Sequence, residues 1–228
     1  EQMSRRLIII DDTGKVQEIA LDTLHKERFY WGRDPQKCDI VTFSPVISKQ
    51  HGKFKLVPHG LFYADLDSTN GTYIENASGR HFLKKSTKYA CLTDGDMLRV
   101  RSAKSSGKGS VLILYTEHIQ QGKWQKYALG APKIRIGRGT ENDIVLRHMG
   151  VSRVHAVIEQ VNGAYVISDS GSTNGLLVNE SILHGKRVLK EKDVIRILNS
   201  MLIFTQSGIY YKSSMQGVSL RVRNMNKT

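Results

Sequence analysis

The 228 residues contain no apolar run of membrane-spanning length and no segment with a sustained helical apolar stripe. A transmembrane helix needs about 20 consecutive apolar residues, so no membrane-spanning helix and no direct membrane insertion are expected of this segment. The start of the chain also lacks the apolar core and small-residue cleavage site of a secretory signal. Only two cysteines are present, Cys38 and Cys91. They are too few for a disulfide framework or a cysteine-rich metal site, so a reducing, cytoplasmic compartment is expected and no metal. Without any sign of secretion, the Asn-x-Ser/Thr triplets at Asn70, Asn76 and Asn179 read as chance.

Catalytic signatures are missing too. Gly107-Lys-Gly-Ser110 glances at a phosphate-binding loop, but position 102 is Ser rather than Gly and Gly109 follows the lysine where Ser or Thr is required. Gly137-Arg-Gly139 lacks the third glycine of a dinucleotide fingerprint, because position 142 is Asn. No nucleophile stands beside a recognisable base. The chain is therefore expected not to be an enzyme and to need no cofactor.

What is abundant is positive charge, a formal +13. Nucleic acid is the usual polyanionic partner of such a chain. Here the charge is dispersed into small clusters: Lys84, Lys85 and Lys88; Lys186, Arg187, Lys190 and Lys192; Arg221, Arg223 and Lys227. None is interleaved with aromatics as a base-stacking platform would be. Solvated loops with a bias toward anionic or phosphorylated proteins are the simpler reading, with no specific nucleic acid.

Short extended segments dominate. Leu7–Ile10, Val16–Leu21, Arg28–Trp31, Gly52–Val57 and Phe62–Leu66 are rich in β-branched and aromatic residues, and Gly, Asp, Pro or Ser punctuates them. Lys133–Ile136, Ala156–Glu159, Tyr165–Ser168, Leu177–Asn179, Val194–Leu198 and Leu202–Thr205 continue the theme. Many short strands separated by turn signals predict an all-β sandwich architecture.

The chain also repeats itself. Gly32-Arg33, Asp39-Ile40, Ser48-x-x-His51 and Asp65-Leu-Asp-Ser-Thr-Asn-Gly-Thr72 return as Gly137-Arg138, Asp143-Ile144, Ser152-x-x-His155 and Asp169-Ser-Gly-Ser-Thr-Asn-Gly-Leu176. The offset is 104 residues at the serine, histidine and asparagine and 105 at the arginine. A repeat held that tightly means two copies of one domain. We place copy one at 1–109, copy two at 110–212, and a tail or the start of a further domain at 213–228. The strand-like Val111–Tyr115 could close the first copy or open the second. Ala103 to Ser110 reads as a flexible polar loop, and a short, stiff connection is expected between the copies. Copy one carries extra residues between Asn76 and Thr93, whose end of the domain the sequence does not locate.

The repeated residue types suit phosphate. A phosphothreonine carries about −1.5 to −2 charges and three acceptor oxygens. Arg33 and Arg138 offer planar forks that can donate two parallel hydrogen bonds. Ser48 and Ser152 offer a hydroxyl and a loop N–H, and Lys49 and Arg153 follow them with a second cation. Gly32 and Gly137 permit close backbone approach. Gly71 and Gly175 permit a sharp turn that displays the preceding Thr69 and Asn70, or Thr173 and Asn174.

This order of motifs, present twice, resembles the forkhead-associated (FHA) domain, a phosphothreonine-binding module. The resemblance implies two consecutive eleven-stranded β-sandwiches, each with its binding loops at one end. It implies that Arg33, Ser48, Arg138 and Ser152 are the principal phosphate ligands, with Lys49 and Arg153 as accessory cations. Thr69 and Thr173 would line the phosphothreonine slot, and Asn70 and Asn174 would bond the ligand backbone. His51 and His155 would be structural, tying the serine loop to neighbouring backbone. Lys49, Leu176 and the extra residue between Arg33 and Asp39 depart from the family pattern, so copy two is expected to be the tighter site. The expected partner is a threonine-phosphorylated protein or peptide downstream of a Ser/Thr protein kinase. A phospho-independent scaffold is the alternative, and weak nucleic-acid binding through charge ranks below it. The tail, Gly217 to Thr228, resembles the opening strand of an ABC-transporter ATPase domain, which suggests the cytosolic regulatory part of a larger bacterial membrane protein. A type VII secretion motor is another possible parent.

Overall fold

A computed structural model describes residues 4–76, 78–85, 88–102, 109–118 and 123–213. The expected all-β class is observed: apart from one 3₁₀ turn at Leu21–Leu24, every regular element among the described residues is a strand. The chain divides into two compact units, residues 1–124 and 125–228.

The first unit contains β1 (Arg6–Ile10), β2 (Val16–Ala20), β3 (Arg28–Gly32), β4 (Ile40–Val41), β5 (Gly52–Val57), β6 (Gly60–Asp65), β7 (Thr72–Asn76), β8 (Gly79–Leu83), β9 (Ala90–Leu92), β10 (Met97–Arg101) and β11 (Ser110–Thr116). They form a six-stranded sheet in the order β2-β1-β11-β10-β7-β8 and a five-stranded sheet in the order β4-β3-β5-β6-β9. All pairings are antiparallel except β3 with the short β4, which is parallel. Alternate residues of the facing strands, among them Leu7, Ile9, Phe29, Trp31, Phe54, Tyr63, Leu98, Val100, Val111 and Ile113, make one continuous core, as the period of two requires. It is rich in aromatic contacts, Phe29 stacking on Phe54 at 5.1 Å and Phe54 meeting Tyr63 at 4.9 Å.

The second unit contains β12 (Gln125–Tyr127), β13 (Lys133–Gly137), β14 (Ile144–Val145), β15 (Ala156–Val161), β16 (Ala164–Asp169), β17 (Leu177–Val178), β18 (Ser181–Ile182), β19 (Lys186–Val188), β20 (Val194–Ile197), β21 (Ser200–Thr205) and β22 (Gly208–Lys212). The sheet orders are β12-β22-β21-β20-β17-β18 and β14-β13-β15-β16-β19. Its core is mostly aliphatic, built on Ile134, Ile136, Ile158, Ile167, Ile195, Ile197, Leu202 and Ile209 with Phe204.

The pairing of the strands corrects one sequence expectation and adds a second finding. Strand β11, carrying Val111–Tyr115, pairs with both β1 and β10. It closes the first sandwich, so copy two does not begin at residue 110. The division between the units falls at 124/125. Second, the two sheets are not wired identically. In the first unit the place beside β11 is held by the opening strand, β1. In the second the equivalent place beside β21 is held by the closing strand β22, which reaches it through a tight turn where Thr205 faces Gly208. Strand β12 then pairs with β22 as β2 pairs with β1. Copy two therefore has no need of Val111–Tyr115, because the strand beside β21 comes from downstream.

The extra residues of copy one lengthen both the β7–β8 hairpin, where β8 has five residues against two in β18, and the β8–β9 connection, which spans 84–89 against 183–185 in copy two. The phosphate-loop look-alike at 107–110 and the tail at 213–228 fall largely outside the described residues, which include only Gly109, Ser110 and Ser213 of them.

Candidate functional site

At one end of each unit, three loops are bound to one another by the repeated residues. In copy one, β3 ends at Gly32 and hands the chain to Arg33. The Arg33 N–H donates to the Ser48 carbonyl at 3.1 Å and the Asp34 N–H to the Lys49 carbonyl at 3.2 Å, which draws the β3–β4 loop onto the β4–β5 loop. The approach is close enough to demand glycine: a Cβ on Gly32 would lie 2.3 Å from the Lys49 carbonyl oxygen. Ser48 reaches the third loop, between β6 and β7. Its Oγ accepts from the Thr69 N–H at 3.0 Å and lies 3.5 Å from the Thr69 hydroxyl. Asn70 reaches back, donating from Nδ2 to the Val46 carbonyl at 2.9 Å.

His51 ties the arrangement from beneath. Its ring is wholly buried, with Nδ1 accepting from the Ser48 N–H at 3.1 Å and Nε2 3.1 Å from the Gly71 carbonyl. Those partners require a neutral imidazole with its proton on Nε2. Burial holds His51 below the ordinary imidazole range, although Asp65 and the Gly71 carbonyl pull the other way. The Thr-Asn-Gly turn is fixed by two residues that the repeat displays but that the sequence does not single out. Asp65 accepts from the Ser68 N–H and hydroxyl at 2.9 and 2.7 Å, and the Ser68 hydroxyl accepts from the Gly71 N–H at 2.9 Å. The signal for them is the Asp-x-x-Ser spacing before both Thr-Asn-Gly triplets.

Copy two reproduces the set. Arg138 N–H donates to Ser152 O at 2.9 Å and Gly139 N–H to Arg153 O at 3.1 Å. Thr173 N–H donates to the Ser152 hydroxyl at 3.2 Å, and Asn174 to Gly150 O at 2.8 Å. His155 accepts from Ser152 N–H at 3.0 Å and donates to Gly175 O at 2.7 Å. Gly137 has the same close neighbour, with a Cβ position 2.2 Å from Arg153 O. Gly71 and Gly175 sit at φ +70° and +68°, a region that favours glycine. Asp169 holds Ser172 at 2.7 and 2.6 Å. Burial alone would raise this carboxyl, but the two Ser172 hydrogen bonds and the nearby His155 outweigh it, and Asp169 sits below the usual carboxylate range.

The copies differ around the arginine. Arg138 Nε donates to Val151 O at 3.1 Å, which orients its fork, whereas among the described residues the Arg33 guanidinium has no such partner. Both arginines are exposed, as are Lys49 and Arg153, Arg153 lying 3.9 Å from Glu141. Every residue that the sequence singles out in each copy is therefore brought to one end of its unit, arginine and serine side by side through their backbones and the Thr-Asn-Gly turn locked to the serine hydroxyl. Exposed cations, a hydroxyl and displayed turn side chains over a rigid, hydrogen-bonded floor can receive a doubly charged oxyanion.

Among proteins of known sequence, 36% identity over 121 residues links the chain to the transcriptional regulatory protein EmbR of Mycobacterium tuberculosis (strain ATCC 25618 / H37Rv), covering 53% of this chain and 30% of that protein. The ABC transporter ATP-binding/permease protein Rv1747 of the same organism is 38% identical over 71 residues, 31% of this chain and 8% of the transporter. The chain thus spans less than a third of either relative. A solved structure of Mycobacterium tuberculosis EmbR in complex with a low affinity phosphopeptide is similar at 36% identity, with a TM-score of 0.33, over 42% of this chain and 23% of that one. The FHA domain family model matches residues 29–101 and again 134–198. These two segments hold both sets of loops and most of both sandwiches, and the chain belongs to the FHA domain family, carrying the domain twice.

Proposed function

We propose that the chain is a tandem phosphothreonine-peptide-binding module that recruits a protein phosphorylated by a Ser/Thr kinase. One observation carries the reading: in each copy an exposed arginine is joined backbone to backbone to a serine whose hydroxyl also holds the Thr-Asn-Gly turn. Fork, hydroxyl and turn thereby converge on one small region, and membership of a phosphothreonine-binding family supports the ligand class. Thr69 and Thr173 then flank the phosphothreonine, and Asn70 and Asn174 meet the peptide backbone. Two such sites in one chain let a doubly phosphorylated partner gain affinity through effective concentration. Similarity to a transporter supports a place in the cytosolic part of a larger membrane protein, which fractionation of the full-length product tests. The binding reading is tested by calorimetric titration with a degenerate phosphothreonine peptide library against the wild type, Arg33→Ala and Arg138→Ala. Each substitution is expected to remove one binding event. Wild-type protein that ignores phosphopeptides yet captures a phosphatase-treated partner would favour a phospho-independent scaffold instead.

A further inference from the structure

The two copies are braced by different atoms at one equivalent position. Asn142 stands immediately before Asp143 as Cys38 stands before Asp39. In copy two the Asn142 amide donates twice, to Gly139 O at 2.7 Å and to Arg153 O at 2.6 Å. One carbonyl belongs to the loop that carries Arg138, the other to the loop that carries Ser152. A single buried side chain therefore sets the spacing of the two phosphate-facing loops. In copy one the Cys38 thiol spends its single proton on Lys49 O, at 3.0 Å. That one hydrogen bond leaves the thiol no donor for the arginine loop. A thiol sulfur is a weak donor and a weak acceptor, whereas an amide NH₂ donates strongly in two directions.

The asparagine also carries a cost that packing alone does not explain. It is only 7% exposed, and its Oδ1 has no hydrogen-bond partner among the described residues. A buried, unpartnered carbonyl oxygen opposes folding. A thiol at that place avoids the cost, as in copy one, so the amide serves loop geometry rather than stability. Next door the Arg138 fork is held by Val151 O, and Arg33 has no counterpart among the described residues.

We infer that Asn142 and Cys38 are positioning residues that make the two pockets unequal, the amide preorganising copy two and the thiol leaving copy one looser. The inference rests on the phosphopeptide reading above. Neither residue needs to touch the ligand. Each acts by fixing the distance between the arginine loop and the serine loop before binding, which lowers the ordering cost of the complex.

The test uses the full chain with one pocket silenced. In an Arg138→Ala background, Cys38→Asn is expected to tighten copy one for a peptide library carrying a single phosphothreonine by about threefold to tenfold, the range of one added hydrogen bond. In an Arg33→Ala background, Asn142→Cys is expected to weaken copy two by a similar factor. Melting curves recorded alongside separate the roles. A positioning residue moves affinity while the midpoint stays level or, for Asn142→Cys, rises with the loss of the unpartnered oxygen. Affinities that stay put in both exchanges, or that change only with a lost fold in Asn142→Cys while Cys38→Asn does nothing, overturn the inference and leave the phosphopeptide reading standing. Wild type that binds no phosphopeptide at either pocket fails that reading itself.

Discussion

Gly32 runs so close to Lys49 that a side-chain carbon on the glycine would lie 2.3 Å from the lysine's carbonyl oxygen. Gly137 stands in the same relation to Arg153, at 2.2 Å. Backbone on both sides leaves nothing flexible to yield. Gly32→Ala and Gly137→Ala are each expected to cost about 1–3 kcal/mol of stability in their own unit, as overpacking does, and to push apart the loops that carry Arg33 and Ser48 or Arg138 and Ser152. Chemical denaturation combined with peptide titration checks both effects, and an alanine variant with native affinity would refute the close-approach argument.

Arg33→Ala and Arg138→Ala should leave folding unchanged, because both side chains are exposed. Each is expected to weaken its own pocket by about tenfold to a hundredfold, the worth of a hydrogen bond to a charged group. The double variant should show no phospho-dependent binding. Titration with phosphorylated and dephosphorylated forms of one peptide measures this directly.

Acid is expected to weaken copy one through its buried histidine. His51 is neutral in the folded protein and its folded value lies below 6.5, so the unfolded chain takes up its proton first as pH falls. Stability is therefore present above about pH 6.5 and drains away below it, by at most about 1.4 kcal/mol per pH unit from this group. In copy two Asp169 is lowered from 3.8. Its contribution is present above that value and is lost as pH falls through the folded one. Denaturation series from about pH 7.5 to about pH 4, spanning the ordinary imidazole range, on wild type and His51→Gln test the first effect; identical pH slopes in the two proteins would refute it.

Ending the chain after Ser207 should unfold or loosen the second unit and spare the first. The truncation removes the strand beside β21 and takes the fully buried Ile209 out of the core, a loss of roughly 1.5–3 kcal/mol from that side chain alone, before the backbone pairing is counted. Amide exchange resolved by unit is the measurement. Protection lost in β21 but retained in β11 is the expected pattern.

Much of the site is legible in the sequence because its residues recur in the same order at a nearly constant offset. Arg33, Ser48, His51 and Asn70 gain meaning only from Arg138, Ser152, His155 and Asn174. The strands are legible wherever β-branched runs meet turn residues. Other features depend on tertiary proximity that no local pattern encodes. Cys38 and Asn142 look ordinary in sequence; what they do depends on a carbonyl eleven residues away. The two-residue β4 and β14 are too short for any periodicity. The boundary is hard to place because Val111–Tyr115 suits the end of one sandwich and the start of the next equally well. Only the pairing of β22 shows why the second sandwich can do without it.

That rewiring gives one architecture two routes of assembly. In the first unit Ile8 must find Leu114, and the six-stranded sheet cannot close until nearly the whole domain has left the ribosome. In the second, the strand beside β21 arrives by a local contact, Phe204 with Ile209 across a tight hairpin, and the distant pairing, Gln125 with Tyr211, adds only the edge strand β12. Loop-closure entropy is small for the hairpin and large for the distant pairing in either unit. The domains are thus expected to differ in where the slow closure falls, inside the six-stranded sheet of the first and at the sheet edge of the second.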